Sequence, residues 1–360
     1  MYGLVTNDAI LKIQNLAKID ISTQSRFKSN LFKLLGNLWM SRSIKIALQT
    51  SIIHIERFQE FGPNRNTIIG PAKLEIPDFP NQYAVRSRPG RPSVLLNNFG
   101  ELMYCGDKIC WVLRDGEWKI HSEFLSQRNY KVMVQMSNGI YAFGGWNPLS
   151  SDTVSENTSE FLPNESRQWQ AGPTIPYDTG VMHKSVIAIS KNELILIGGY
   201  DYETSKSKIL KFNTKTSEWT AIGNLKEPRS ECLVAIFDHK IIICNGRRGR
   251  KILKSTEIIP FKVLESPSGE SEIVFLPIRQ GGDTKFARCH GGIGVAQIGD
   301  SEKLIRFGNG VPTQEWNDET ETWHISTKIK SYKMSDTAFI SKGTHYFISK
   351  LDSFQVRINL

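Results

Sequence analysis

The feature that most constrains the fold is a block of strand-like and turn-like segments at residues 193–229. An apolar run, 194–197, ends on Gly198 and Gly199, and a run with alternating apolar residues follows a polar loop. Trp219 and a Pro-Arg corner then complete the block. Short apolar strands separated by turn residues are typical of an antiparallel sheet. A glycine pair at a strand end indicates backbone that takes a positive φ or passes close to a neighbour.

Copies of this block recur along the chain. Apolar runs end on glycine at positions 106, 145, 199, 246 and 308, which are 39, 54, 47 and 62 residues apart. A tryptophan follows in four of the five copies, namely Trp118, Trp169, Trp219 and Trp323. The pattern resembles the Kelch repeat, which recurs at roughly 50 residues and builds propeller blades of four strands.

The resemblance implies an all-β fold, a six-bladed Kelch-type β-propeller over residues 66–360. The last strand-like pieces stop before a fourth strand, and an unclosed ring would leave exposed strand edges. We therefore expect residues 70–80, around Leu74, to pair with the C-terminal strands and close the ring. The blades are expected at 93–128, 131–176, 184–229, 231–280, 286–330, and 335–360 with 70–80.

The apolar runs and the tryptophans are predicted to form the core between blades. Each blade of a propeller is covered on both sides, which suits continuous apolar runs such as 194–197 and 241–244. The tryptophan of each block offers the largest apolar area for contact with a neighbouring blade. We interpret all four as core residues rather than as ligand platforms.

Residues 1–65 differ from the repeats and are predicted to form an N-terminal extension with helical spacing. Asn7 is a candidate helix cap, and Leu31, Leu34 and Leu38 recur at helical intervals. Such a basic amphipathic segment either lies on a membrane surface or packs its apolar residues on the propeller or on one another. We favour packing.

The charge balance is basic, with 45 Lys and Arg against 36 Asp and Glu and a formal net charge of +9. This excess indicates either an ordinary solvated surface or a preference for acidic partners. The sequence contains no run of about 18 apolar residues, so it predicts no membrane-spanning helix.

The five cysteines leave two pairings open. Cys105 and Cys110 flank a short turn, and Cys232 and Cys244 lie on successive strands, so either pair could face across a hairpin. Because Cys289 is left over, the set is interpreted as reduced thiols of an intracellular protein.

The predicted location is cytoplasmic, since the N-terminus lacks a charged segment followed by an apolar one. Two glycosylation triplets, at Asn157 and Asn164, would instead fit an extracellular protein if a signal sequence upstream is missing from the chain.

Binding residues are expected on one face of the ring, where the loops between second and third strands meet the connections between blades. Arginines on these loops are suited to fork onto carboxylates or phosphates, and aromatic residues can anchor an interface. The alternative is that they are ordinary solvated loop residues. The candidates are Arg86, Arg88, Arg91, Trp146, Tyr200, Tyr202, Arg247, Arg248 and Arg250.

No catalytic, cofactor or metal site is predicted. The seven histidines show no H-E-x-x-H spacing, and neither a G-x-S-x-G elbow nor a phosphate-binding P-loop is present. His290 beside Cys289 would point to the opposite face of a strand. No signature of a nucleic-acid recognition module accompanies the basic loops.

Two functions of different classes follow. The first is a non-enzymatic module that binds a protein partner on one propeller face, as a substrate-recognition or scaffold subunit; the resemblance to Kelch proteins implies this role. The alternative is an extracellular propeller with glycan-binding or galactose-oxidase-like activity, which would hold copper through tyrosine and histidine.

Overall fold

The computed structural model describes the repeat region, and all the elements below lie within residues 72–358. The predicted N-terminal extension and three of the candidate arginines, Arg86, Arg88 and Arg91, lie outside the described residues. The described ranges are 72–75, 93–99, 101–115, 117–147, 157–177, 181–265, 271–287, 291–298, 301–307, 311–327, 337–341, 344–348 and 355–358.

The first three sheets of four strands are antiparallel and follow one another along the chain. Strands are numbered here in chain order. Blade I contains β2 (Ser93–Leu96), β3 (Leu102–Cys105), β4 (Ile109–Arg114) and β5 (Glu117–Glu123). Blade II contains β6 (Val132–Met136), β7 (Gly139–Phe143), β8 (Ser159–Pro163) and β9 (Gln170–Ala171). Blade III contains β10 (Ser185–Ala188), β11 (Glu193–Ile197), β12 (Lys208–Asn213) and β13 (Glu218–Asn224).

Blade IV departs from the four-stranded pattern because its third strand is long. It contains β14 (Leu233–Phe237), β15 (Lys240–Cys244), β18 (Thr256–Glu265), β19 (Ser271–Phe275) and β20 (Arg279–Gly281). The first half of β18 lies between β15 and β20, and its second half pairs with β19. A small hairpin of β16 (Arg247–Arg248) and β17 (Lys251–Ile252) stands between β15 and β18.

Blade V is regular again, with β21 (Gly292–Ile298), β22 (Ser301–Phe307), β23 (Gln314–Asn317) and β24 (Thr322–Ile325). After it, β25 (Thr337–Ser341) pairs with β26 (Thr344–Ile348). The strand β1 (Ala72–Glu75) pairs antiparallel with β27 (Gln355–Ile358), and Leu74 stands opposite Val356.

The core lies between the blades, as β11 of blade III illustrates. Leu194 and Leu196 pack in a cluster with Phe143 of blade II, whereas Ile195 and Ile197 pack in a cluster with residues of blade IV. All of these side chains are buried. Because successive side chains of a strand point to opposite faces, a blade covered on both sides needs a continuous apolar run. Similar clusters join blade I to blade II and blade IV to blade V. The five blades therefore form a β-propeller arrangement.

Two tryptophans connect neighbouring blades, as predicted. Trp169 of blade II is buried, and its indole N–H donates to the Ser122 hydroxyl of blade I at 3.0 Å. Trp323 of blade V is fully buried and donates to the Thr256 hydroxyl of blade IV at 3.1 Å. The other two predicted core tryptophans, Trp118 and Trp219, are half-buried.

The interpretation of the cysteines as reduced thiols was wrong for one pair. Cys105 and Cys110 stand directly opposite each other on β3 and β4 and form a disulfide that is buried. Cys232 and Cys244 are buried free thiols. Because disulfides persist in oxidising compartments, this pairing removes the thiol argument for a cytoplasmic location.

Candidate functional site

Three cross-loop bridges assemble one face of the propeller. In each, the connection entering a blade exchanges two backbone hydrogen bonds of 2.8–2.9 Å with the loop that follows the blade's second strand. The pattern places these two kinds of loop on one side of the ring, which we call the loop face. The bridged pairs are Asn129 with Trp146, Met182 with Tyr200, and Ser230 with Arg247.

The glycines that define the repeat make these bridges possible. Gly145 and Gly246 have φ angles of 110° and 94°, which favour glycine. A Cβ atom on Gly145 would lie 2.8 Å from the Asn129 carbonyl oxygen, and one on Gly246 would lie 2.6 Å from that of Ser230. The two loops approach this closely only because no side chain stands between them.

Buried ion pairs fix the connections between blades. The Arg128 Nε atom donates to Glu160 at 2.7 Å in blade II, and an Arg229 Nη atom donates to Glu257 at 2.7 Å in blade IV. Each carboxylate also accepts two backbone N–H groups from the preceding connection, at 2.7 and 3.1 Å. These side chains are at most 4% exposed. Each connection is thereby held against the third strand of the next blade.

Blade III replaces the ion pair with a tyrosine. Leu210 occupies the strand position of the two glutamates, as the register of β11 and β12 shows. The Tyr177 hydroxyl lies 3.1 Å from the Gly198 carbonyl oxygen and donates to it, much as Arg128 donates to the equivalent carbonyl of Gly144. In blade III, a neutral hydroxyl therefore holds the connection that a charged arginine holds in blades II and IV.

The bridges bring three of the sequence-predicted residues to equivalent positions on three consecutive blades. Trp146, Tyr200 and Arg247 each follow directly after the second glycine position of their blade, and all three are half-buried. Tyr202 is farther out on the same loop as Tyr200 and is 43% exposed.

The remaining described candidates, Arg248 and Arg250, lie on the β16–β17 hairpin and are exposed. The hairpin rests on the neighbouring loop of blade III through one hydroxyl. The Ser205 Oγ atom donates to the Arg247 carbonyl oxygen at 3.1 Å and accepts the N–H of Gly249 at 3.2 Å. Lys251 adds another cation, 3.8 Å from Glu227. The hairpin therefore carries positively charged side chains and is held in place by hydrogen bonds to Ser205.

A concave site of about 460 Å³ opens on the loop face between blades I and II. Leu125, which lines it, is 58% exposed. The other lining residues are Lys108, Ser126, Gln127 and Asn147.

Sequence reasoning missed an inner rim made by three equivalent residues, Tyr130, His183 and Glu231. All have left-handed φ angles, of 57°, 54° and 54°, and each follows a bridge residue. Their backbones are linked in series, because His183 donates to the Tyr130 carbonyl and Glu231 donates to that of His183. Aligning the chain on Arg128 and Arg229 would have located the position, although the three residue types share no property.

Residues 185–226, which span blade III, match the family model described as the Kelch motif. The chain carries divergent Kelch repeats. Among curated relatives, Beta-scruin from Limulus polyphemus is 22% identical over 177 residues, 48% of this chain and 18% of that protein. Kelch-like protein terF from Aspergillus terreus is 24% identical over 183 residues, 46% of this chain and 38% of that protein.

Spermatocyte protein spe-26 from Caenorhabditis elegans is 23% identical over 160 residues, 42% of this chain and 27% of that protein. The matched segments therefore cover less than two fifths of these three relatives. A solved structure described as "Structure of YjhT" superposes with a TM-score of 0.57 at 12% identity, over 76% of this chain and 94% of that chain. This likeness shows the fold alone.

Two lysines follow the rim positions of the Kelch blades and are buried. Burial lowers the pKa of both Lys131 and Lys184 to about 7. Lys131 Nζ donates to the Gly106 carbonyl at 2.5 Å and lies 4.8 Å from the centre of the Phe124 ring. Within the described residues, Lys184 Nζ has no hydrogen-bond acceptor and lies 5.9 Å from the Tyr177 ring centre.

Among the described residues of these Kelch blades, no three His, Cys, Asp or Glu side chains come together as a metal site. The same residues contain no helix long and apolar enough to cross a bilayer.

Proposed function

We propose that the chain is a non-enzymatic protein-interaction module whose partner docks on the loop face, as a substrate-recognition or scaffold subunit. The observation that carries the proposal is the threefold bridge pattern. It presents Trp146, Tyr200 and Arg247 at matching positions on consecutive blades. Loops held on a rigid scaffold are where binding residues concentrate.

The chemistry of the loop face supports an acidic partner. The β16–β17 hairpin carries four cations within five residues, and Arg248 and Arg250 are exposed. Guanidinium groups form two parallel hydrogen bonds to a carboxylate. Trp146 and Tyr202 lie on neighbouring loops, and aromatic residues of this kind dominate interface energetics. The proposed partner therefore offers an acidic segment flanked by apolar groups.

We further propose that the ring has six blades. Strand β25 lies beside β21 of blade V and β2 of blade I, and β26 lies beside β27. Because β27 pairs with β1, the order β25, β26, β27, β1 would supply four strands to a sixth blade. Such a closure would hold the loop face rigid and leave no open edge between blades V and I.

The test begins with the full-length protein. Proteins that co-purify with it are identified by mass spectrometry, and the purified partner is then titrated by calorimetry. The triple variant R247A/R248A/R250A is expected to bind at least tenfold more weakly, with a reduced dependence on salt, because ion pairs at an interface are screened by salt.

The matched control is the variant K191A/K215A/K262A, which removes three exposed positive charges that lie away from the loop face. This variant is expected to bind as the parent does. Equal binding by the arginine variant and the parent would refute docking on the basic hairpin, and a loss in the lysine variant alone would place the partner elsewhere.

A further inference from the structure

The inner rim and the blade III loop together form an aromatic cluster. The Tyr130 and His183 rings lie 4.3 Å apart between centroids, at an interplanar angle of 36°. The Tyr200 and Tyr202 rings lie 6.5 Å apart at 53°. The Met182–Tyr200 bridge joins the loop that carries both tyrosines to the connection that carries His183. Burial raises the pKa of Tyr202, and its charge interaction with Tyr130 raises it further. The two ring pairs thus lie on adjoining, bridged segments of the loop face.

Carboxylates lie among these rings. Glu231 Oε1 is 3.1 Å from His183 Nδ1, and the Glu231 side chain is only 8% exposed. Asp201 stands between the two tyrosines of the loop, is also 8% exposed and is paired with Lys206. The face of an aromatic ring carries partial negative charge, so rings and carboxylates together favour a cation.

We propose that this rim cluster, defined as Tyr130, His183, Tyr200, Tyr202 and Glu231, is a binding site for an organic cation, an ammonium, methylated ammonium or guanidinium group. The proposal deepens the proposed function, because the natural source of the cation would be a side chain of the docked protein. The recognised segment would then carry a positive group for the rim cluster and acidic groups for the β16–β17 hairpin.

The cations beneath the rim do not cancel this preference. Arg128 is neutralised by Glu160, with which it is paired at 2.7 Å. Lys131 and Lys184 are buried, and burial lowers the pKa of each to about 7, so each is partly or largely neutral from pH 7 upwards. Arg247, whose backbone is bridged to the residue before Glu231, belongs to the basic side of the face.

The test uses choline chloride and its neutral isostere 3,3-dimethylbutan-1-ol, titrated into the full-length protein and followed by NMR and by tyrosine fluorescence. Choline is expected to bind saturably and the neutral alcohol at least tenfold more weakly, with sodium chloride added to match the ionic strength. Tyr202→Leu and Glu231→Gln are each expected to weaken choline binding roughly threefold to thirtyfold, the range for a cation over an aromatic face.

Phe99→Leu is the matched control, because Phe99 is 61% exposed on the turn between β2 and β3, away from the loop face. It is expected to leave choline binding unchanged. Tyr202 is 43% exposed, so its substitution is compatible with folding, which circular dichroism checks. Absence of saturable choline binding, equal binding of the neutral alcohol, or full binding by Y202L would overturn the proposal.

The arginine variant R247A/R248A/R250A separates this inference from the proposed function. It is expected to retain choline binding while losing the acidic partner. Retained choline binding with an unaffected partner would refute hairpin docking and leave the cation site intact. Loss of choline binding in this variant would contradict a separate rim site.

Discussion

Lys131 and Lys184 occupy equivalent positions in blades II and III, yet their surroundings differ. Lys131 has backbone carbonyl acceptors, whereas Lys184 Nζ has no hydrogen-bond acceptor among the described residues and lies 5.9 Å from the centre of the Tyr177 ring. A buried ammonium without an acceptor is costly to keep charged, so burial dominates the pKa of Lys184.

Replacing Lys184 with methionine is expected to stabilise the protein at neutral and acidic pH. The folded pKa of about 7 lies below the ordinary lysine pKa of 10.5, so the folded state binds fewer protons than the unfolded chain between these values. The free energy of unfolding of the parent therefore rises with pH from about 7 to about 10.5. In K184M this rise should shrink, and the gain at pH 6.5 should be about 3–5 kcal/mol at most.

Lys131→Met is the matched comparison. Its gain in the free energy of unfolding should be smaller than that of K184M by about 1–3 kcal/mol, because the substitution leaves the Gly106 carbonyl without its donor. Urea unfolding of the three proteins at pH 6.5 and pH 9.5 measures both effects. A K184M variant less stable than the parent at pH 6.5 would contradict the explanation.

At the scale of elements, the buried ion pairs join each connection to the third strand of the next blade. Blade V provides a natural comparison, because Gln314 occupies the strand position of Glu257 and its Oε1 atom accepts the Lys285 N–H at 2.8 Å. A connection can thus donate its backbone N–H to a neutral side chain at this position.

Glu257→Gln alone is expected to lower the free energy of unfolding by about 3–5 kcal/mol, since it leaves the Arg229 guanidinium buried without its carboxylate. The double variant E257Q/R229A should lose clearly less than the sum of the two single variants. Glu218→Gln, at an exposed strand position, is the control and should change little. Additive losses in the double-mutant cycle would show that the pair does not act as a unit.

Much of this element-scale design could be read from the sequence. The third strands of blades II and IV begin S-E-F-L-P and T-E-I-I-P, and a glutamate just before the apolar residues of a strand predicts a buried partner such as Arg128 or Arg229. The glycine-ended runs located five blades, because glycine is required wherever two loops meet closely. The rim positions could have been located by aligning the connections on Arg128 and Arg229, but their left-handed backbone could not be predicted, because it depends on tertiary bridges and the three residue types share no property.

At the scale of the whole molecule, the proposed sixth blade would join the two ends of the repeat region in one sheet. Its test is a disulfide across the pairing of β1 and β27, in which Leu74 stands opposite Val356. The variant L74C/V356C is expected to form the cross-link under mild oxidation, and closing so long a loop should stabilise the fold by up to roughly 5 kcal/mol.

The register control is L74C/I358C, whose second position pairs with Ala72 instead. It should cross-link poorly, because disulfide geometry tolerates little displacement. Non-reducing electrophoresis and peptide mapping report both variants. Equal cross-linking of the two variants, or none in L74C/V356C, would contradict closure of the ring through this pairing.

Binding on the loop face is the central claim, and hydrogen exchange of the full-length protein with and without its purified partner tests it most directly. Slower exchange is expected in peptides covering 200–208 and 247–255, with no change in the opposite turns at 189–192 and 213–217. Protection confined to those opposite turns, with the loop-face peptides unchanged, would contradict it.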